Sequence, residues 1–110
     1  MKIFHYSDVR AKEPAKARVS KVELRWLITK EMGAQNFAMR LFEIESGGYS
    51  PLHTHPWEHE VFILEGTGFV FDGEKETKFK AGDVVFVPPN DPHQFRNNGK
   101  KTLKFICLIP

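Results

Sequence analysis

The chain has 110 residues, 16 Lys+Arg against 14 Asp+Glu and a net charge of +2, with both signs mixed along it, which excludes the one-signed footprint of a nucleic-acid binder. One domain spanning residues 1–110 is expected, and folding at this length can bury roughly 65% of the surface that the unfolded chain exposes. No segment approaches the ~18 apolar residues of a spanning helix, no signal-like run opens the chain, and the single Cys107 excludes an intrachain disulfide, so a soluble, cytoplasmic protein without membrane partners is the expectation.

Near the amino terminus Ile3, Phe4 and Tyr6 offer an edge strand, His5 a surface residue, and Glu13 to Ala17 a connector. From Val22 the even positions read Val, Leu, Trp, Ile and the odd ones Lys, Glu, Arg, the period of a strand with one wet face. A turn is expected over Thr29–Gln35. Asn36 to Glu45 is apolar on both parities, so both faces must be covered, by another sheet, a terminal segment or a partner subunit. Ser46-Gly47-Gly48 marks its end, or a close backbone approach.

Beyond the histidine-rich stretch come Val61–Leu64, a Glu65-Gly66 turn, Thr67–Phe71, then Asp72-Gly73 as a type I′ hairpin. Glu74–Lys80 and Val84–Val87 follow, then the proline-rich Pro88–Pro92, which lacks three amide donors. His93–Arg96 and Thr102–Ile109 are the last strands. Eight or nine short strands with frequent turns and no helical periodicity describe an all-β sandwich or barrel. Homodimerisation is expected from the two-sided apolar strands at Asn36–Ile44 and Lys104–Ile109.

Four of the five histidines, His53, His55, His59 and His93, carry the chemistry. Residues two apart on a strand share a face, so His53 and His55 can reach one metal ion, and imidazole suits zinc, copper, nickel and iron alike. His59 and Glu60 both follow at ligand spacing with opposite parity. Parity cannot be carried across Pro56-Trp57, so this local pattern leaves the third ligand open between them.

The segment Gly47-x5-His53-x-His55-x3-His59-x6-Gly66 resembles the first motif of the cupin superfamily, and Gly82-x5-Pro88-x-Asn90-x2-His93-x3-Asn97 resembles the second. The resemblance implies a double-stranded β-helix, the jelly-roll cupin barrel, with one divalent transition ion (Mn, Fe, Ni, Cu or Zn) held inside one end. Asn90 stands where the family has glycine, a tolerable change because Asn adopts positive φ more readily than most residues. The spacing to Gly66 places His59 in the slot that the family gives to glutamate. The implied ligands are therefore His53, His55, His59 and His93, with Glu60 as the alternative.

Four neutral imidazoles would leave the ion's full charge on the site and favour an anionic ligand. An octahedral ion would keep two open positions, as oxygenase chemistry requires, whereas a closed tetrahedron would be structural. A metal-dependent oxidoreductase of dioxygenase type acting on a small organic or anionic substrate is expected. The alternatives are a non-catalytic metal or small-ligand binding module and a metal-assisted isomerase or lyase on sugars or their acids. Phe105 and Cys107, which share parity on the last strand, are candidates for the pocket wall with Arg40 and Trp57; Glu58 reads as a solvent-facing acid.

Overall fold

The computed structural model describes residues 1–14 and 19–110. Its eight strands are β1 (Ser20–Ile28), β2 (Ala38–Tyr49), β3 (His59–Glu65), β4 (Thr67–Phe71), β5 (Glu76–Lys80), β6 (Val84–Val87), β7 (Gln94–Arg96) and β8 (Leu103–Ile109). They pair antiparallel in the order β5-β4-β7-β2-β8-β3-β6, with β1 also paired to β2, and the sheet curls into a jelly-roll barrel. Two single 3₁₀ turns are the only helical pieces among the described residues, and none is long and apolar enough to cross a membrane.

Alternation decides what faces inward. In β3, His59, Val61 and Ile63 are buried while Glu60, Phe62 and Leu64 are exposed; in β8, Leu103, Phe105 and Cys107 are buried between less buried neighbours. Ile44, Ile63, Leu103 and Phe105 are almost wholly enclosed, and burying a side chain of this size stabilises the fold by about 1.5–3 kcal/mol.

Several expectations change in three dimensions. Residues 1–5 form no strand; Ile3 is exposed, and the first element is a 3₁₀ turn over Tyr6–Asp8 capped by the His5 side chain. Of the expected connector, Ala15–Ala17 lies outside the described residues. β2 does not stop at Ser46 but runs through to Tyr49, because Gly48 lets the backbones of Ser20 and Glu45 come close: a Cβ there would lie 2.6 Å from the Ser20 carbonyl oxygen. The Asp72-Gly73 loop is not a two-residue I′ turn. The Asp72 carboxylate accepts the amides of Glu74 and Lys75, at 2.9 and 2.7 Å, and this side-chain turn widens the loop to Asp72–Lys75.

The second cover of β2 includes the chain's own amino-terminal segment. Arg25, which pairs with Leu41, donates to the Val9 carbonyl at 2.6 Å and sits with Lys104 over the Tyr6 ring. Apolar exposure instead falls on β3 and β6, where Phe62, Val84 and Phe86 face outward.

Candidate metal centre

The histidines meet because the two motif segments are stitched together by their backbones. Beyond the Tyr49–Arg96 pair of β2 and β7, Ser50 exchanges bonds with Phe95, and His53 and His93 exchange amide-to-carbonyl bonds at 3.2 and 3.0 Å. The Asn90 amide then donates to the His55 carbonyl at 2.6 Å, with Asn90 at φ 70°, the left-handed conformation expected of it. Asn97 closes the second motif from within: its Nδ2 donates to the carbonyls of Ile44 and Lys101, both at 2.8 Å, and its Oδ1 accepts the Gly99 amide.

His53, His55 and His93 place one ring nitrogen each within 4.8 Å of one another. Metal–imidazole bonds of about 2.1 Å put two ligands of one ion at most about 4.2 Å apart, so small ring rotations close the set. His93 is already oriented for this. Its Nδ1 lies 2.9 Å from the Asp91 carbonyl, which can only accept, so the ring proton sits on Nδ1 and the lone pair on Nε2.

His59 borders these three, its ring centroid 4.8 Å from that of His55 and 4.7 Å from that of His93. It is buried, and its Nε2 has no hydrogen-bond partner among the described residues. On the other side of the ring, Nδ1 is 3.0 Å from the Cys107 sulfur and 3.3 Å from Arg40 Nη2, and Arg40 Nη2 is 3.0 Å from that sulfur. Since Arg40 can only donate, the sulfur is the one acceptor for an Nδ1 proton. With the proton there, Nε2 offers its lone pair to an ion.

A buried imidazole nitrogen without a partner beside three converging imidazoles is a donor set that fits a divalent transition ion. Glu60 points the other way. It is exposed on the outer face of β3, and the hydrogen bond it shares with Glu58 pushes the Glu58 carboxyl above its ordinary value. Its position one residue after an inward-facing histidine turns it away from the barrel interior.

The electrostatics follow from depth. Burial first, then the charges of His93, Arg40, His55 and His53, hold the His59 pKa down to about 3. Burial pushes the Cys107 thiol up, partly offset by Arg40. The unfolded chain therefore binds a proton at His59 that the folded chain refuses between the ordinary imidazole value and about pH 3. The metal-free protein is expected to keep full stability above about pH 6.5 and to lose up to roughly 1.4 kcal/mol per pH unit from this group as the pH falls below it. Urea unfolding at pH 7 and pH 5 checks this, and His59→Gln should flatten the slope; equal slopes in both proteins would contradict the assignment.

A cavity of about 560 Å³ opens over the histidines. All four expected pocket residues line it: Phe105 and Cys107 as buried wall, Arg40 buried beside His59, and Trp57 at the rim, stacked on His55 at 4.6 Å. Trp26, Phe42, Phe95 and the amino-terminal Lys12–Pro14 also line it and were not among the expected residues. Trp26 and Phe42 could have been found from parity. Lys12 could not, since it arrives through an isolated bridge to Leu24.

The model of the cupin domain (Cupin_2) matches residues 40–109. The oxalate-binding protein of Thermotoga maritima is 34% identical over 112 residues, covering 92% of this chain and 91% of that protein. Among solved structures, the polyketide cyclase RemF from Streptomyces resistomycificus superposes with a TM-score of 0.93 at 31% identity, over 100% of this chain and 79% of that one. A cupin 2 conserved barrel domain protein from Rhodopseudomonas palustris does so at 0.78 and 35%, over 92% and 70%. Barrel, motif residues and relatives agree, and the chain belongs to the cupin family.

Proposed function

We propose that this cupin is a metal-dependent oxidoreductase of dioxygenase type, acting on a small organic anion, with one divalent transition ion held by His53, His55, His59 and His93. The observation that carries the reading is the convergence of these imidazoles, with the partnerless Nε2 of His59 among them, at the base of a cavity. When bound, the ion supplies Lewis acidity and redox chemistry that side chains lack. The chain supplies the rest. The Asp91 carbonyl and the Cys107 sulfur orient His93 and His59, and Phe95 and Phe105 keep water from the cavity wall.

A second reading, a non-catalytic binding module, is supported by the cavity lining, where Glu13 is the only carboxylate among the described residues, and by a relative named for binding oxalate rather than for turning it over. Anaerobic loading with iron, manganese, nickel or copper, followed by oxygen-uptake assays on diketone, flavonol and thiol substrates, separates the two. Oxygen consumption with at least one ion is the expected result. Ligand binding with no uptake under any ion leaves the binding module, and turnover without oxygen points to an isomerase or lyase. A chain with a single cysteine, Cys107, fits a reducing cytoplasm. The outward Phe62, Val84 and Phe86 fit a homodimer, which would sediment at twice 12.7 kDa.

A further inference from the structure

Arg40 has no role as a metal ligand, yet it is one of the most deeply placed charges in the barrel. It is 8% exposed, its guanidinium carbon lies over the ring of Trp26 at 5.3 Å and over that of Phe42 at 5.0 Å, and it lines the cavity. No ion pair among the described residues includes it: the carboxylates of Glu43, Asp83 and Glu65 go to Arg25, Lys80 and Lys104. Its Nε has no hydrogen-bond partner among the described residues. Two aromatic faces and the uncharged Cys107 and His59 beside Nη2 offset only part of what it costs to desolvate a guanidinium, and a buried cation of this kind is compensated when an anion sits against it.

The size and lining of the cavity narrow the anion. About 560 Å³ is room for a ligand of drug size, far more than a two-carbon dianion fills. Trp26, Phe42 and Ile109, backed by the buried Leu24 and Phe105, form an apolar wall that would be left against water above so small an ion. Hydrophobic burial and ring stacking therefore favour a ligand with a flat apolar body.

We propose that the cavity takes a carboxylate carried on a flat, aromatic-sized apolar body, its charged head toward Arg40 and the histidines and its body against the wall of Trp26, Phe42 and Ile109. This deepens the reading of the histidines as a metal centre and rests on it for the second charge at the head group. Arg40 is then the specificity-determining residue for the carboxylate.

The test titrates the full chain, zinc-loaded and metal-free, with trans-cinnamate, cinnamamide and oxalate by calorimetry. Both tryptophans of the chain, Trp26 and Trp57, lie in the cavity wall, so their fluorescence gives a second readout. The expected result is that cinnamate binds the zinc-loaded chain about tenfold or more tighter than either cinnamamide or oxalate, the margin of one lost charge-assisted hydrogen bond or of the apolar wall. Arg40→Gln should lower cinnamate affinity by about tenfold while leaving cinnamamide within about twofold. The comparison of acid with amide on the unaltered chain stands even if that variant does not fold. Oxalate binding as tightly as cinnamate, or the amide binding as tightly as the acid, would overturn the proposal. Cinnamate binding to a chain that takes up no zinc would support the role of Arg40 while sinking the metal centre, and zinc uptake without cinnamate binding would do the reverse.

Discussion

Replacing His59 by alanine should strip the protein of its metal, while Glu60→Ala should leave the metal content of freshly purified protein unchanged. The contrast is sharp because the two residues are neighbours with opposite directions: His59 is 5% exposed and turned toward His55 and His93, whereas Glu60 is on the outer face of β3. Losing only the partner that orients a ligand costs about 10- to 100-fold in affinity, so losing the ligand itself should cost at least about 100-fold. Cys107→Ala, which removes the acceptor for the Nδ1 proton of His59, should fall in the lower range. Elemental analysis with competition against a chromogenic chelator reads all three. Metal lost from Glu60→Ala and retained in His59→Ala would return the site to the three histidines and one glutamate of the family motif.

Phe105→Ala should be among the most destabilising single changes that leave the histidines intact. The ring is 1% exposed, stacks on Phe42 at 5.0 Å and 12°, and meets Phe95 at 4.7 Å. It is both core and cavity wall. Truncating a buried phenylalanine costs about 3–5 kcal/mol through lost transfer energy and the void left behind, against a total stability of about 5–15 kcal/mol for a domain. Phe105→Leu should lose substantially less, since it keeps most of the apolar volume. Urea unfolding midpoints, with the slope monitored to confirm that the denatured state is unchanged, measure the difference. A cost below about 1 kcal/mol would mean that the wall collapses around the gap, and that Phe105 is not the keystone of this cluster.

The barrel was legible because its signals are local. Alternation in Val22–Ile28 and the glycine punctuation between Val61 and Val87 are signals carried by neighbouring residues, and the observed strands follow them closely. Asn90 at positive φ was legible for the same reason, as a property of one residue type. The Asp72 loop was misread because a side chain competed with the backbone for its amides, a choice between two local solutions that dipeptide patterns do not separate.

The sequence by itself determined the histidines: the shared face of His53 and His55 follows from a period of two, and the two motif spacings name His93 as their distant companion. Only the tertiary structure decided the direction of His59 and Glu60, because the kink at Pro56-Trp57 breaks the count and the pairing of β3 with β6 and β8, His59 to Val87 and Val61 to Cys107, restarts it. The same holds for Arg40. Nothing in an apolar strand announces that its one arginine will lie beside a cysteine 67 residues away and beneath a histidine 19 residues on. Those neighbours are created by strand register, a long-range property set when apolar faces of distant segments are buried together.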